Sequence, residues 1–226
     1  SQELAIEQEP KINSEVIVTY IFNFFVIFVR GYDHLQLEFC PQMPETKKYP
    51  TLVWLDLEMT GLSEHDEIIE VACILTDMDY NQIGDDFTRT VHVPLSKLEA
   101  MSDVCTEMHQ ASGLWEDVLK STNDITRVER DLVTEITNAT SAGTVLYLAG
   151  NSIHVDRIFV KKQMPLLDKL LHYRMLDVTA VGMFLKNGFS LPDYIKSKNH
   201  RALDDIKESI GEVTHYHKWV VKGHAD

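Results

Sequence analysis

Thr51-Leu-Val-Trp-Leu-Asp-Leu-Glu-Met-Thr-Gly-Leu62 sets two acids, Asp56 and Glu58, one residue apart inside an apolar, β-branched and aromatic run. The two-residue period of a strand puts both carboxylates on one face. The flanking Leu52, Val53, Trp54, Leu55 and Leu57 read as a strand covered on both sides, which outweighs the alternative of an edge strand with its acids in water. Like charges on a covered strand repel and lose hydration, so one pKa is driven up unless a cation compensates. The pair therefore points to a divalent metal site.

Outward from this strand the elements alternate as in an α/β domain. The Thr60-Gly61 turn ends the first strand, residues 68–76 read as a second, and the Asp-, Asn- and Gly-containing stretch 78–84 reads as a hairpin turn into a third at 87–93. The start is thus three antiparallel strands. Ile125, Val128, Leu132 and Ile136 recur at helical spacing after Asp124, and residues 138–143 supply the stop. A buried strand follows at 145–149, a short helix at 156–163 ended by Pro165, a last strand at 175–178, and a terminal helix from His200 to about His217.

With 226 residues, 44% apolar and 25% charged, the chain can build one sizeable core. Its organisation reads as an N-terminal extension over residues 1–50 and a catalytic domain over 51–226. The three cysteines, Cys40, Cys73 and Cys105, are odd in number and lack metal-ligand spacing. They point to a reducing intracellular compartment, the cytoplasm first and mitochondria second. The net charge of -14 argues against a protein that grips long nucleic acid through a basic groove.

The extension holds an apolar run from Val16 to Val29, open to reading as a membrane anchor, a signal core or a strand pair. As a helix it would span roughly 21 Å, short of the roughly 30 Å of a bilayer core. The preceding Glu3, Glu7, Glu9 and Glu15 against Lys11 have the wrong sign for a signal or transit peptide. Both facts argue against membrane attachment. Three prolines between Cys40 and Pro50 mark a linker.

Two further acids complete the set. Gly150-Asn-Ser-Ile-His-Val-Asp156 follows a strand, so Asp156 falls near the strand's carboxyl end and the next helix's start, where α/β sheets bind ligands; a helix-capping role stays open. In His200-Arg-Ala-Leu-Asp-Asp205 the stripe of Leu203, Ile206, Ile210 and Val213 is flanked by Asp205, while Asp204 points nearly opposite. Asp205 is therefore the inward acid. Asp56, Glu58, Asp156 and Asp205 suit two divalent cations that clamp a phosphodiester, and His200 is placed to take a proton from the attacking water. A carboxylate set favours Mg2+ or Mn2+ over zinc.

Trp54-Leu-Asp-Leu-Glu-Met-Thr-Gly-Leu62, Ala149-Gly-Asn-Ser-Ile-His-Val-Asp156, His172-Tyr-Arg-Met-Leu-Asp-Val178 and His200-Arg-Ala-Leu-Asp-Asp-Ile206 resemble the DEDD exonucleases with a histidine base, and within them the oligoribonucleases. The resemblance runs from Leu52 to about Trp219. It implies a ribonuclease H-like three-layer α/β fold with a mixed five-stranded sheet flanked by helices. It also implies a homodimer and 3′-to-5′ hydrolysis of very short RNA oligonucleotides, especially dinucleotides, to 5′-mononucleotides. By motif position Asp56, Glu58, Asp156 and Asp205 would hold two metal ions, with His200 as the base. Leu62 would wedge between the bases. Ser152, Arg174 and Thr179 would hold the 5′ phosphate, joined by His109 and Tyr173 from the partner subunit.

One departure stands out: relatives carry a base-stacking tryptophan where this chain reads Ser102-Asp-Val-Cys105. Valine has no π face, so weaker dinucleotide binding is expected with the metal chemistry intact. Two rivals remain open, a related exonuclease trimming longer RNA or DNA 3′ ends and a catalytically idle exonuclease fold serving as a binding module.

Overall fold

A computed structural model of the chain describes residues 16–21, 24–29, 49–63, 65–189, 191–195 and 201–222. The chain divides into two compact units between Lys47 and Lys48. In the first, β1 (Val16–Ile21) and β2 (Phe24–Val29) pair antiparallel, Val16 opposite Val29. Of the readings of that apolar run, the strand pair is the one adopted, and no helix among the described residues is long and apolar enough to cross a membrane. Most of the linker, with Cys40, lies outside the described residues.

The second unit is built on a five-stranded mixed sheet in the order β5-β4-β3-β6-β7. It comprises β3 (Thr51–Met59), β4 (Ile68–Thr76), β5 (Gln82–Thr90), β6 (Leu146–Gly150) and β7 (Leu171–Asp177). The first three are antiparallel neighbours, as expected, whereas β6 runs parallel to β3 and β7 parallel to β6.

The two-residue period of β3 sorts the core. Val53, Leu55 and Leu57 face one layer, packed with Val128, Leu132 and Ile136 of α4 (Ile125–Ala139), Phe159 and Val160 of α5 (His154–Gln163) and Leu167 of α6 (Pro165–Leu170). Leu52 and Trp54 face the other, against Val178 and Leu185 of α7 (Val178–Phe189) and Ala202, Ile206, Val213 and Tyr216 of α8 (Ala202–Lys222). The sheet is therefore the middle of three layers, and each fully buried aliphatic side chain in it contributes roughly 1.5–3 kcal/mol. A smaller cluster of Ile69, Val93, Leu98, Leu114 and Val118 seats the short helices α1 (Leu95–Glu99) and α3 (Leu114–Lys120), and α2 (Asp103–Ala111) packs on α3.

Some boundaries differ from the sequence reading. The third strand begins at Gln82 rather than residue 87 and ends at Thr90, because the hairpin turn is tighter than the polar stretch suggests. Asp77 Oδ1 accepts the Asp79 and Asn81 N–H groups at 2.8 and 2.9 Å. Gly84, read as part of the turn, sits inside β5 with φ +72°, close to where the register with β4 slips between Cys73 and Leu75. β7 begins at Leu171 and α8 continues to Lys222. The helix expected after Asp124 is α4, and its cap is that aspartate, which accepts the Arg127 N–H at 2.8 Å.

Candidate active site

The face of β3 that carries Leu52 and Trp54 into the core continues as Asp56 and Glu58, so one strand supplies both an anchor and two acids. Across the antiparallel ladder Asp56 lies opposite Ala72 and Glu58 opposite Glu70. On the other side β6 pairs with β3 only as far as Trp54–Ala149. Beyond Gly150 the strands part, opening a crevice at the carboxyl end of a parallel pair, the usual ligand position of such sheets. A Cβ on Gly150 would come within 3.0 Å of the Leu55 carbonyl oxygen, so the chain turns tightly here towards α5.

Asp156 lies in the first turn of α5 without capping it, since the N-cap is Ile153. Its Oδ1 instead accepts the Leu57 backbone N–H at 3.1 Å, replacing the ladder partner that β3 loses where β6 ends. Asp205 enters from α8, whose Ala202 and Ile206 pack on the Trp54 face. Carboxylate oxygens of Asp56, Glu58 and Asp205 all lie within 4.8 Å of one another. The helix-face argument holds: Asp205, and not Asp204, joins the strand acids. His200 lies outside the described residues.

Electrostatics mark this cluster as unable to carry its own charge. Asp56 is held well above the usual carboxylate range by burial first, then by Asp156, Glu58, Asp205 and Glu70. Glu58 is pushed up to about 8 by burial, with Asp205, Glu70 and Asp156 adding and Arg201 opposing. Burial lifts Asp156 to about 7 against the lowering effect of its hydrogen bonds from backbone N–H groups. Converging half-buried oxygens, those of Asp56 and Glu58 disfavouring ionisation, are a donor set suited to a hard divalent cation, and the structure thus fits the metal site read from the strand.

The groups expected to meet substrate lie on several elements. Leu62 is 75% exposed on a turn organised by Asp66, which accepts the Thr60 hydroxyl at 2.8 Å and the Ser63 N–H at 2.7 Å. A Cβ on Gly61 would stand 2.6 Å from Asp66 Oδ2, so only glycine lets that carboxylate close the turn. Ser152, in a left-handed conformation at φ +48°, donates its N–H to Thr179 Oγ1 at 3.0 Å and to Asp177 Oδ1 at 3.1 Å. The structure therefore brings Ser152 and Thr179 together. Arg174 and Tyr173 lie on β7, Tyr173 72% exposed with the Arg174 guanidinium 4.9 Å over its ring. Val104 is 75% exposed near the start of α2.

His109 is fully buried in its own chain, its Nε2 donating to the Met59 carbonyl at 3.0 Å and its Nδ1 4.0 Å from Glu58 Oε2. The imidazole thus lies beside Glu58, at the end of β3.

Sequence reading also missed Glu70 and Arg201. A lone acid in the apolar run Ile68-Ile-Glu-Val-Ala72 was the available signal, since a covered strand holds a carboxylate only with a partner. That partner is Arg201, whose Nη2 reaches Glu70 Oε1 at 2.6 Å.

The exonuclease family model (RNase_T) matches residues 53–213. The nuclease domain of 3′hExo, a DEDDh family member bound to rAMP, superposes with a TM-score of 0.53 at 18% identity over 76% of this chain and 94% of that one. The cell-death related nuclease 4 (CRN-4) does so with a TM-score of 0.57 at 14% identity, over 76% and 65%. The fold is that of the ribonuclease H-like exonucleases. The oligoribonuclease of Mycobacterium avium is 40% identical over 171 residues, 74% of this chain and 80% of that protein. The mitochondrial oligoribonuclease of Mus musculus is 41% identical over 180 residues, 77% and 75%. With three carboxylates meeting at the crevice where that family model matches, and identity at this level along most of both chains, the chain belongs to the oligoribonuclease family.

Proposed function

We propose that this chain is a 3′-to-5′ exoribonuclease that hydrolyses very short RNA, dinucleotides above all, to 5′-mononucleotides. The observation that carries the reading is the convergence of Asp56, Glu58 and Asp205 at the carboxyl end of the β3–β6 pair. These three with Asp156 would hold two divalent cations, Mg2+ or Mn2+. Bound there, the cations would acidify the attacking water and offset charge on the leaving oxygen.

The chain's own groups do the rest. His200, directly ahead of Arg201 and α8, would take the proton from the attacking water. Water adds to phosphorus as the bond to the upstream O3′ breaks, and that oxygen leaves with a proton. Leu62 would separate the two bases, and Ser152, Thr179 and Arg174 would hold the 5′ phosphate, a contact that only a short substrate can make. Tyr173, exposed on the edge strand β7, would complete that grip from the partner subunit of a homodimer. Residues 51–226 would form the catalytic domain and 1–50 an extension, a division supported by the boundary between Lys47 and Lys48. A reducing compartment suits the free Cys73 and Cys105.

Labelled RNAs of two, five and twenty nucleotides, incubated separately with magnesium, test this reading. The dinucleotide should be turned over fastest. Preferential loss of the longest RNA would replace it with an enzyme that trims longer ends, and no cleavage with either magnesium or manganese would indicate a binding module.

A further inference from the structure

The antiparallel register that sets Glu58 opposite Glu70 brings a further carboxylate beside the cluster, close enough to raise both Asp56 and Glu58. Glu70 is only 1% exposed, and its carboxylate is engaged by Arg201 and the start of α8. Oε1 accepts Arg201 Nη2 at 2.6 Å and Nε at 3.2 Å, and Oε2 accepts Arg201 Nε at 3.3 Å and the Ala202 backbone N–H at 3.1 Å. Arg201 goes on to Asp117 Oδ2 of α3 at 3.2 Å and to the Ser112 carbonyl past α2 at 3.4 Å.

One guanidinium thus joins β4, the α2–α3 corner and the first residue of α8. These neighbour the parts that present groups to the cluster: β3 with Asp56 and Glu58, α2 with His109, and α8 with Asp205 one turn on. A bidentate arginine–carboxylate pair fixes orientation as well as distance. The additional bond from the Ala202 N–H fixes the helix start itself. We propose that Glu70 and Arg201 are a positioning pair that docks the start of α8 to the sheet, setting the approach of Asp205 to Asp56 and Glu58. This rests on the metal-dependent reading of that cluster.

The pair is testable because charge and position predict opposite signs. Arg201 is a cation beside the metal site. If it acted by charge alone, Arg201→Gln would tighten divalent binding and Arg201→Lys would leave it unchanged. A positioning role predicts weaker binding in both, since lysine keeps the charge and loses the two-pronged grip. Calorimetric titration of manganese into the full chain should show about a 10- to 100-fold weaker affinity for Arg201→Gln, the range seen when groups that orient metal ligands are removed, and several-fold for Arg201→Lys.

With a dinucleotide at saturating metal, kcat should fall while KM stays within about twofold. If Arg201→Gln does not fold, Arg201→Lys decides. Unchanged or tighter manganese affinity in folded Arg201→Lys, or a lower melting temperature as the only change, would overturn the proposal. Manganese binding by a wild-type chain that cleaves no RNA would refute the assigned reaction and leave this test standing.

Discussion

The Leu57 backbone N–H donates to Asp156 Oδ1 at 3.1 Å, pinning the strand that carries Asp56 and Glu58 to the first turn of the helix that carries Asp156. Asp156→Asn keeps a carbonyl oxygen for that bond and removes the charge. RNA cleavage should fall on the order of 10³-fold, the equivalent of several kcal/mol of lost electrostatic stabilisation. In chelator at pH 8 the same variant should melt higher, by about 2–4 °C for each kcal/mol of repulsion relieved. A steady-state assay beside a melting curve checks both. A variant that is inactive and also melts lower would mean that the carboxylate is chiefly structural.

The raised pKa values of Glu58, about 8, and Asp156, about 7, fix the sign of the pH dependence without metal. An acid whose folded pKa is raised keeps its proton in the folded state after the unfolded chain has released it. Its contribution to stability is therefore complete below the unfolded value near ~4 and lost as pH rises through the folded one. The chelated wild type should lose melting temperature between pH 5 and 8 relative to Glu58→Gln. Divalent binding should weaken as pH falls below about 8, because protons compete for the same oxygens. Melting curves that rise together over this range would contradict the assignment.

Asp204 and Asp205 are adjacent acids in the first turn of α8, and only Asp205 joins the converging carboxylates. Asp205→Ala should abolish cleavage, and Asp204→Ala should retain kcat within about threefold, an acid near a helix start being worth roughly 0.3–1 kcal/mol to stability. Equal losses in a single-turnover assay would show that the two carboxylates share a function.

Val104, at 75% exposure, has room for a larger side chain. Val104→Trp adds a π face for a base, worth roughly 1–3 kcal/mol, so KM for a dinucleotide should drop about 5- to 100-fold with kcat little changed. An unchanged KM would remove this position from the binding surface.

Much of this architecture is legible in the chain, for reasons that differ by element. β3 and β4 are covered on both faces, so their composition alone marks them, and α4 and α8 advertise themselves by a one-sided stripe. β5 is harder: along Gln82-Ile-Gly-Asp-Asp-Phe87 most side chains meet solvent, and an edge strand held mainly by its ladder leaves little apolar alternation to read. The short helices α1 to α3 are stabilised by packing, and in α2 by the Ser102 cap, rather than by periodicity. Within the site, Asp205 is identifiable because a helix has one inward face. The partners of His109 and Glu70 are not, because Met59, Glu58 and Arg201 reach them only through tertiary packing.

Trp54 and Asp56 project from one strand face, and the strand behind them has its opposite row fully covered. Native-state fluctuations that release a segment begin where backbone bonds are exposed and apolar contacts few, and β3 has neither property. The Leu57 amide should therefore exchange with solvent deuterium only through whole-domain opening, and in urea activity should vanish together with the core rather than ahead of it. For the acids carried on β3, the operating ceiling is then the folding equilibrium itself.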